Sequence, residues 1–94
     1  MQIKYSEHII NRLKLRNIDY NLPKFIFEQS GERYYDLETG HMVASMGVVL
    51  YGKAREVMVA YIQEHDAIVL LTIHPLKEGQ KENRIKAGRW RRLP

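Results

Sequence analysis

The longest apolar run in the chain, residues 67–74, is the feature that most constrains the fold. Its short length and its β-branched content favour a strand buried on both faces over a helix. Burying its aliphatic side chains would contribute about 1.5–3 kcal/mol each before the loss of conformational entropy is subtracted. We therefore expect the rest of the chain to pack on or beside this strand.

The length of 94 residues predicts a single domain, residues 1–94, with one modest core. No apolar run reaches the roughly 18 residues that a membrane span needs, and residues 1–5 lack the apolar core of a signal peptide. The chain has no cysteine, so a disulfide framework and a thiolate metal site are excluded. We expect a cytoplasmic protein that does not associate with a membrane.

The net charge of +4 is concentrated near the C-terminus. Five of the 15 basic residues lie in residues 83–94, where there is no acidic residue, so the remainder carries ten basic against 11 acidic residues. A cationic segment on a nearly neutral body favours an anionic partner, and nucleic acid is the first candidate. The alternative is a segment that only aids solubility or binds an acidic protein.

The hydrophobic spacing predicts two N-terminal helices followed by strands. The first helix is expected over residues 7 to 15 or 16 with Ser6 as its N-cap, and the second from Asp19 or Asn21 to Ser30 and Gly31. Short turns between the later apolar segments indicate an antiparallel meander. The predicted strands are residues 33–38, 41–51, 55–63 and the opening run at 67–74.

The predicted fold class is therefore α+β, with two helices packed on a four-stranded antiparallel sheet. Residues 1–75 would form the compact core and residues 76–94 a basic C-terminal tail. Residues 1–5 would be a short edge strand or a lead-in, and residues 81–87 a short helix ended by Gly88.

Three potential cations, His8, Arg12 and Arg16, recur at every fourth position of the first predicted helix. At ~100° per residue they drift by only about 80°, so they form one stripe beside the apolar face. Stacked like charges repel and do not favour the helix. The stripe therefore indicates a nearby anion, either an internal carboxylate such as Asp36 or Glu38, which we favour, or an external phosphate.

His74 ends the central strand, where a rigid support can present a side chain to a cleft. Histidine is the usual proton-transfer group near neutral pH, although a histidine before a proline can also be a structural turn residue. If His74 faces the stripe, a proton-transfer group would lie beside guanidinium groups that can hold a phosphate. Such a set suits metal-independent RNA cleavage, and it equally suits simple phosphate binding.

The basic C-terminal segment interleaves cations with one aromatic residue, Trp90. Trp90 could stack on a base while arginines hold the backbone, or Ile85 and Trp90 could pin the segment onto the sheet, which we favour for Trp90. The histidines show no metal-ligand spacing, so neither a metal nor a cofactor is expected. The candidate phosphate- or RNA-binding residues are Arg12, Arg16, Arg84, Lys86, Arg89, Trp90, Arg91 and Arg92.

The motif Ser6-x-His8-x3-Arg12-x3-Arg16-x-Ile18 resembles the opening motif of a family of short prokaryotic chains known as a domain of unknown function. That family is similar in fold outline to the RelE/ParE superfamily of toxins, and to BrnT in particular. The resemblance implies a compact α/β ribonuclease-like toxin that a partner protein neutralises. Only His8, Arg12 and Arg16 match motif positions.

The resulting hypothesis is a toxin–antitoxin-type RNA-binding protein that is a candidate metal-independent endoribonuclease. His8 and His74 would transfer protons, and an antitoxin-like protein would be the partner. The alternative is a non-catalytic protein- or nucleic-acid-interaction module in which the His/Arg stripe is structural. The sequence leaves a homo-oligomer open under both hypotheses.

Overall fold

The computed structural model describes residues 1–94 and contains three helices and one six-stranded sheet. The first helix agrees with its predicted bounds, and the second ends one residue before Ser30. No helix is long and apolar enough to cross a bilayer. In chain order the elements are β1 (Gln2–Tyr5), α1 (Glu7–Arg16), α2 (Leu22–Gln29), β2 (Glu32–Asp36), β3 (Met42–Leu50), β4 (Lys53–Glu64), β5 (Ala67–Pro75), α3 (Gln80–Lys86) and β6 (Trp90–Arg92).

The strands lie in the order β1-β5-β4-β3-β2-β6. β1 is parallel to β5, and every other neighbouring pair is antiparallel. The meander from β2 to β5 is present, but the predicted four-stranded antiparallel sheet with two helices is wrong. It lacks the C-terminal strand β6, and it does not include β1, which pairs in parallel with β5. Residues 1–5 do form an edge strand, one of their two predicted states, and the short helix predicted at residues 81–87 is present as α3. Both strands are too short for their sequences to show a clear hydrophobic period. Their pairing partners also lie far away in the chain, so no local pattern reveals the pairing.

The two faces of the sheet carry separate apolar clusters. On the helix face, α1 and α2 bury Ile9, Leu13 and Ile26 against side chains of β3, β4 and β5. The opposite side, which we call the far face, carries a smaller cluster made of Tyr34, Val43, Met58, Ala60 and Trp90. The larger area buried on the helix face makes that face the main contributor to stability.

A β-bulge in β5 decides which side chains reach the far face. Leu70 pairs with Tyr61 and Thr72 pairs with Ala60, so Leu71 is one extra residue on β5. Side chains normally alternate along a strand, and Leu70 faces the helices. If this alternation were unbroken, His74, four residues after Leu70, would face the helices too. The bulge instead turns His74 to the far face, opposite Met58.

The C-terminal segment is part of the sheet, so the prediction of a basic tail is wrong. Trp90 is 1% exposed and stacks on Tyr34, with the ring centroids 5.3 Å apart. Its Nε1 donates to Asp36 Oδ2 at 3.3 Å, and Arg89 forms an ion pair with the same carboxylate. Trp90 thus pins the segment to the far face as we favoured, whereas Ile85 stays 40% exposed.

The burial of Trp90 predicts that the C-terminal strand contributes strongly to stability. Trp90→Ala should lower the free energy of unfolding by about 3–5 kcal/mol, because it leaves a cavity beside Tyr34. Urea denaturation of the full-length protein measures this. Arg91→Ala is the matched control on the same strand, and its exposed side chain should be worth less than about 0.5 kcal/mol. Equal small losses in both variants would contradict the packing described here.

Candidate functional site

The second half of β5 has an edge without a neighbouring strand, and α1 covers it. β1 pairs only as far as Leu70. Beyond that point Ser6 Oγ donates to the Leu71 carbonyl at 2.9 Å, while it also accepts from the Ile9 N–H as the N-cap of α1. One and a half turns later, Arg12 Nε donates to the Ile73 carbonyl at 2.7 Å. Side chains of α1 therefore satisfy the carbonyls that a strand would otherwise pair.

The same guanidinium group reaches His74 on the far face. Arg12 Nη2 donates to His74 Nδ1 at 2.6 Å. Because arginine is always a donor, Nδ1 must be the acceptor and the proton of the neutral ring must sit on Nε2. Nε2 lies 3.2 Å from Thr72 Oγ1, so both ring nitrogens have a partner. The arrangement fixes the tautomer and the orientation of the imidazole.

The surroundings of His74 keep its ring neutral at pH 7. Burial is the largest cause, and the positive charges of Arg12, His8, Arg84 and Arg16 follow; together they lower the pKa of His74 from 6.5 to about 4. These charges come from two elements, α1 and α3. Of these groups Arg12 contacts the ring, whereas His8, Arg16 and Arg84 act on it through electrostatic repulsion at longer range.

No carboxylate lies within ion-pair distance of these charges, although Asp36 and Glu38 act on Arg84 at longer range. The ion pairs of the protein join Arg89 to Asp36 and Glu38, each at 3.1 Å, and Lys81 to Glu32 and Glu56. None of them includes the stripe. The favoured prediction that Asp36 or Glu38 pairs with the stripe is therefore wrong. The pairing of β2 with β6 brings Arg89 to these two acids instead.

Arg84 reaches the site from α3 and is held by an aromatic ring. Its guanidinium carbon lies 5.1 Å from the centroid of the Trp90 ring, a cation–π contact. Burial first and then the charge of Arg89 lower the pKa of Arg84, which nevertheless stays protonated. Arg84 thus brings a partly desolvated positive charge without an acidic partner.

The other predicted site residues divide into two groups. His8, Arg16, Lys86, Arg91 and Arg92 are exposed, with Arg92 6.0 Å from the Tyr34 ring centroid. Trp90 cannot have its predicted role in stacking on a base, and Arg89 is not free for its predicted role in binding phosphate. Trp90 is buried, so it cannot stack on a base, and Arg89 is engaged by two carboxylates.

Sequence reasoning missed Thr72 as a member of the site. It lies two residues before His74, and that spacing puts both side chains on one face of a strand. The spacing was available as a signal. What the sequence did not reveal is the bulge, which takes both residues away from the helix face.

A cavity of about 550 Å³ lies elsewhere, between β4 and the start of α3. Basic and acidic residues alternate on its wall, and Lys81 and Glu56 there are paired with each other. It therefore shows no clear preference for an anion or a cation. No group of three or more His, Asp or Glu side chains could hold a metal ion.

Comparisons with protein-family models, with curated proteins and with solved structures found no match in any of the three. The resemblance of residues 6–18 to a prokaryotic family therefore stays a prediction.

The low pKa of His74 predicts that the fold weakens in mild acid. Between pH 6.5 and 4 the unfolded chain binds a proton at this residue and the folded protein does not, so stability is lost as the pH falls. From pH 7 to pH 5 the wild type should lose about 1–2 kcal/mol more than His74→Gln, which cannot titrate. Urea denaturation at the two pH values measures the difference.

Keeping the measurement at pH 5 and above separates the effect of His74 from the effects of the carboxylates. Asp36 and Glu32 have lowered pKa values in the folded protein, so they weaken the fold mainly below about pH 5. Parallel stability curves for the wild type and His74→Gln between pH 7 and 5 would show that His74 is not held neutral by its surroundings.

Proposed function

We propose that this protein binds RNA and holds one backbone phosphate beside Arg12 and His74. The observation that carries the proposal is the contact of Arg12 with a half-buried imidazole at an edge of the sheet where no carboxylate forms an ion pair. His8, Arg12, Arg16 and Arg84 all act on His74, and no carboxylate lies within ion-pair distance of any of them. Such a site attracts an anion, and the attraction is strengthened by partial exclusion of water.

The donors at this site match the oxygens of a phosphate. Arg12 uses two of its five N–H groups within the chain and keeps three for a ligand. The Thr72 oxygen accepts from the Nε2–H of His74, which leaves the Thr72 hydroxyl proton as a donor from β5, and Arg84 adds a second guanidinium from α3. Guanidinium groups bind phosphate through paired, charge-assisted hydrogen bonds.

Exposed cations beyond the site favour a polyanion over a single phosphate ion. Lys86 lies on the same helix as Arg84, whereas Arg91 and Arg92 lie on β6, which three strands separate from β5. With a net charge of +4, these side chains would meet neighbouring phosphates of one strand. The proposal places the protein in the cytoplasm, where RNA is available.

A cleavage step follows from the same residues if the bound strand is RNA. His8 would take the proton of a 2′-hydroxyl, whose oxygen then forms a bond to phosphorus. Arg12 and Arg84 would stabilise the charge on the phosphoryl oxygens, and a protonated His74 would give its proton to the departing 5′-oxygen. The products would be a 2′,3′-cyclic phosphate and a 5′-hydroxyl end.

The resemblance of residues 6–18 supports a toxin–antitoxin role for this activity, with an antitoxin-like protein as partner. Arrest of growth on expression, reversed by a protein encoded beside the gene, is the expected cellular result. If cells that express the protein grow normally and the purified protein leaves RNA uncleaved, the proposed ribonuclease activity is wrong.

One observation favours the alternative, a non-catalytic interaction module. Arg12 closes the free edge of β5 through Ile73, which is a structural task by itself. Arg12→Ala separates the two functions. Loss of stability with RNA binding retained would favour the module, whereas retained folding with lost RNA binding favours the phosphate site.

Arg84 provides the sharpest binding prediction, because it makes no hydrogen bond within the chain. Arg84→Ala should weaken binding of a single-stranded RNA oligonucleotide about fivefold, similarly for all sequences, and should reduce the slope of log affinity against log salt by about 1. Fluorescence anisotropy over a salt series measures both.

Lys24→Ala is the matched control for Arg84→Ala. It removes one exposed positive charge from α2, on the other side of the sheet, and should leave the affinity nearly unchanged. Equal losses in the two variants would reduce the binding to an effect of net charge and would contradict a defined site.

Cleavage is tested with the wild type and His8→Gln on an RNA oligonucleotide in EDTA. We expect fragments ending in a 2′,3′-cyclic phosphate by mass spectrometry, formed at least about 100-fold more slowly by the variant. Cleavage that continues at the wild-type rate in His8→Gln would exclude His8 as the proton acceptor.

A further inference from the structure

In the free protein, His74 engages one of the Arg12 N–H groups that a phosphate could bind. Arg12 rests on His74 Nδ1 at 2.6 Å and on the Ile73 carbonyl at 2.7 Å. An imidazole nitrogen can accept this hydrogen bond only while it carries no proton. The lone pair of Nδ1 therefore stands where an anionic oxygen would bind, and it is lost as soon as the ring is protonated.

The groups around His74 make protonation of the empty site unfavourable. Positive charge faces it from α1 and from α3, Thr72 faces it from its own strand, and the neutral Met58 lies opposite on β4. No acid lies within ion-pair distance of the ring. The groups concerned are the guanidinium groups of Arg12, Arg16 and Arg84 and the imidazole of His8.

We infer that the site takes up a proton together with its phosphate, so that phosphate binding and protonation of His74 are coupled. The inference rests on the proposed function, since it describes how the same site loads its ligand. In the free protein Arg12 is held by the neutral ring. In the loaded protein Arg12 and the imidazolium both donate to the phosphate.

Two consequences of protonation act in the same direction. A proton on Nδ1 ends the hydrogen bond from Arg12 and frees its Nη2 for the ligand. The negative phosphate offsets the cations that disfavour the imidazolium, so binding raises the pKa of His74 from its free value of about 4. By linkage, the affinity for phosphate must then fall as the pH rises between the free and the bound pKa.

The size of the effect follows from the shift. If the bound ring returns to the ordinary histidine pKa near 6.5, the affinity at pH 5 exceeds that at pH 7.5 by roughly 20- to 30-fold. The dependence on pH also links this inference to the cleavage step, because it supplies a protonated His74 only when a phosphate is present.

The experiment uses the full-length protein and a 2′-O-methyl RNA oligonucleotide, which lacks the attacking hydroxyl and stays intact. Affinity is measured from pH 5 to pH 7.5 at constant salt, and the ring signals of His74 are followed by NMR with and without the oligonucleotide. We expect a raised His74 pKa in the complex and the 20- to 30-fold affinity change in the wild type.

Two variants locate the proton. His74→Gln keeps an acceptor for Arg12 but cannot titrate, so most of the dependence on pH should disappear. His65→Asn is the matched control, because His65 is exposed in the turn between β4 and β5 and its backbone has the left-handed conformation that asparagine tolerates. It should retain the full dependence.

Failure of the coupling between phosphate and proton and failure of the proposed function give different results. Binding of the oligonucleotide with equal His74 pKa values in the free and bound protein would overturn the inference and leave the proposed function standing. A dependence on pH that survives in His74→Gln would assign the proton to another group and would also overturn it. Absence of binding at every pH and at low salt would overturn both.

Discussion

The one-sided pairing of β5 beyond Leu70 is the constraint on which the rest of the structure depends. Up to that residue β5 lies between β1 and β4 and has a neighbouring strand on both sides. Beyond it one edge is free, and its carbonyls must find donors elsewhere. Ser6 and Arg12 of α1 supply them. The requirement for backbone hydrogen bonds thus fixes α1 against the edge and brings a guanidinium group to the rim of the far face.

The bulge at Leu71 gives this edge its chemical character. By shifting the alternation of β5, it sends Ile73 to the apolar core and His74 to the far face. Arg12 can then bind a backbone carbonyl and an imidazole with one side chain. Arg12 therefore closes the sheet edge and also contacts the imidazole at the proposed anion site. For this reason a structural role and a binding role both fit this residue.

The distribution of acids decides where positive charge remains available. Asp36 binds Arg89 and the Trp90 indole, and Glu32 and Glu56 bind Lys81 of α3. Burial by itself would raise the pKa of Asp36, but the hydrogen bonds from Arg89 and from the Glu38 N–H lower it overall. These acids fasten the C-terminal segment to the far face. The cations that act on His74 therefore form no ion pair, and Arg84 belongs to the segment that the acids hold.

The amino-acid sequence by itself determined the features that depend on local periodicity: the helix α1 with its cap at Ser6, the meander around the buried strand β5, and the stripe of His8, Arg12 and Arg16 beside the apolar face. Only the tertiary structure decided which acids meet which bases, that β1 and β6 join the sheet, and that His74 faces away from the helices. These outcomes depend on pairings between residues far apart in the chain and on one extra residue in a strand. A change of one residue in register reverses every side chain beyond it, and no local pattern of the sequence records that change.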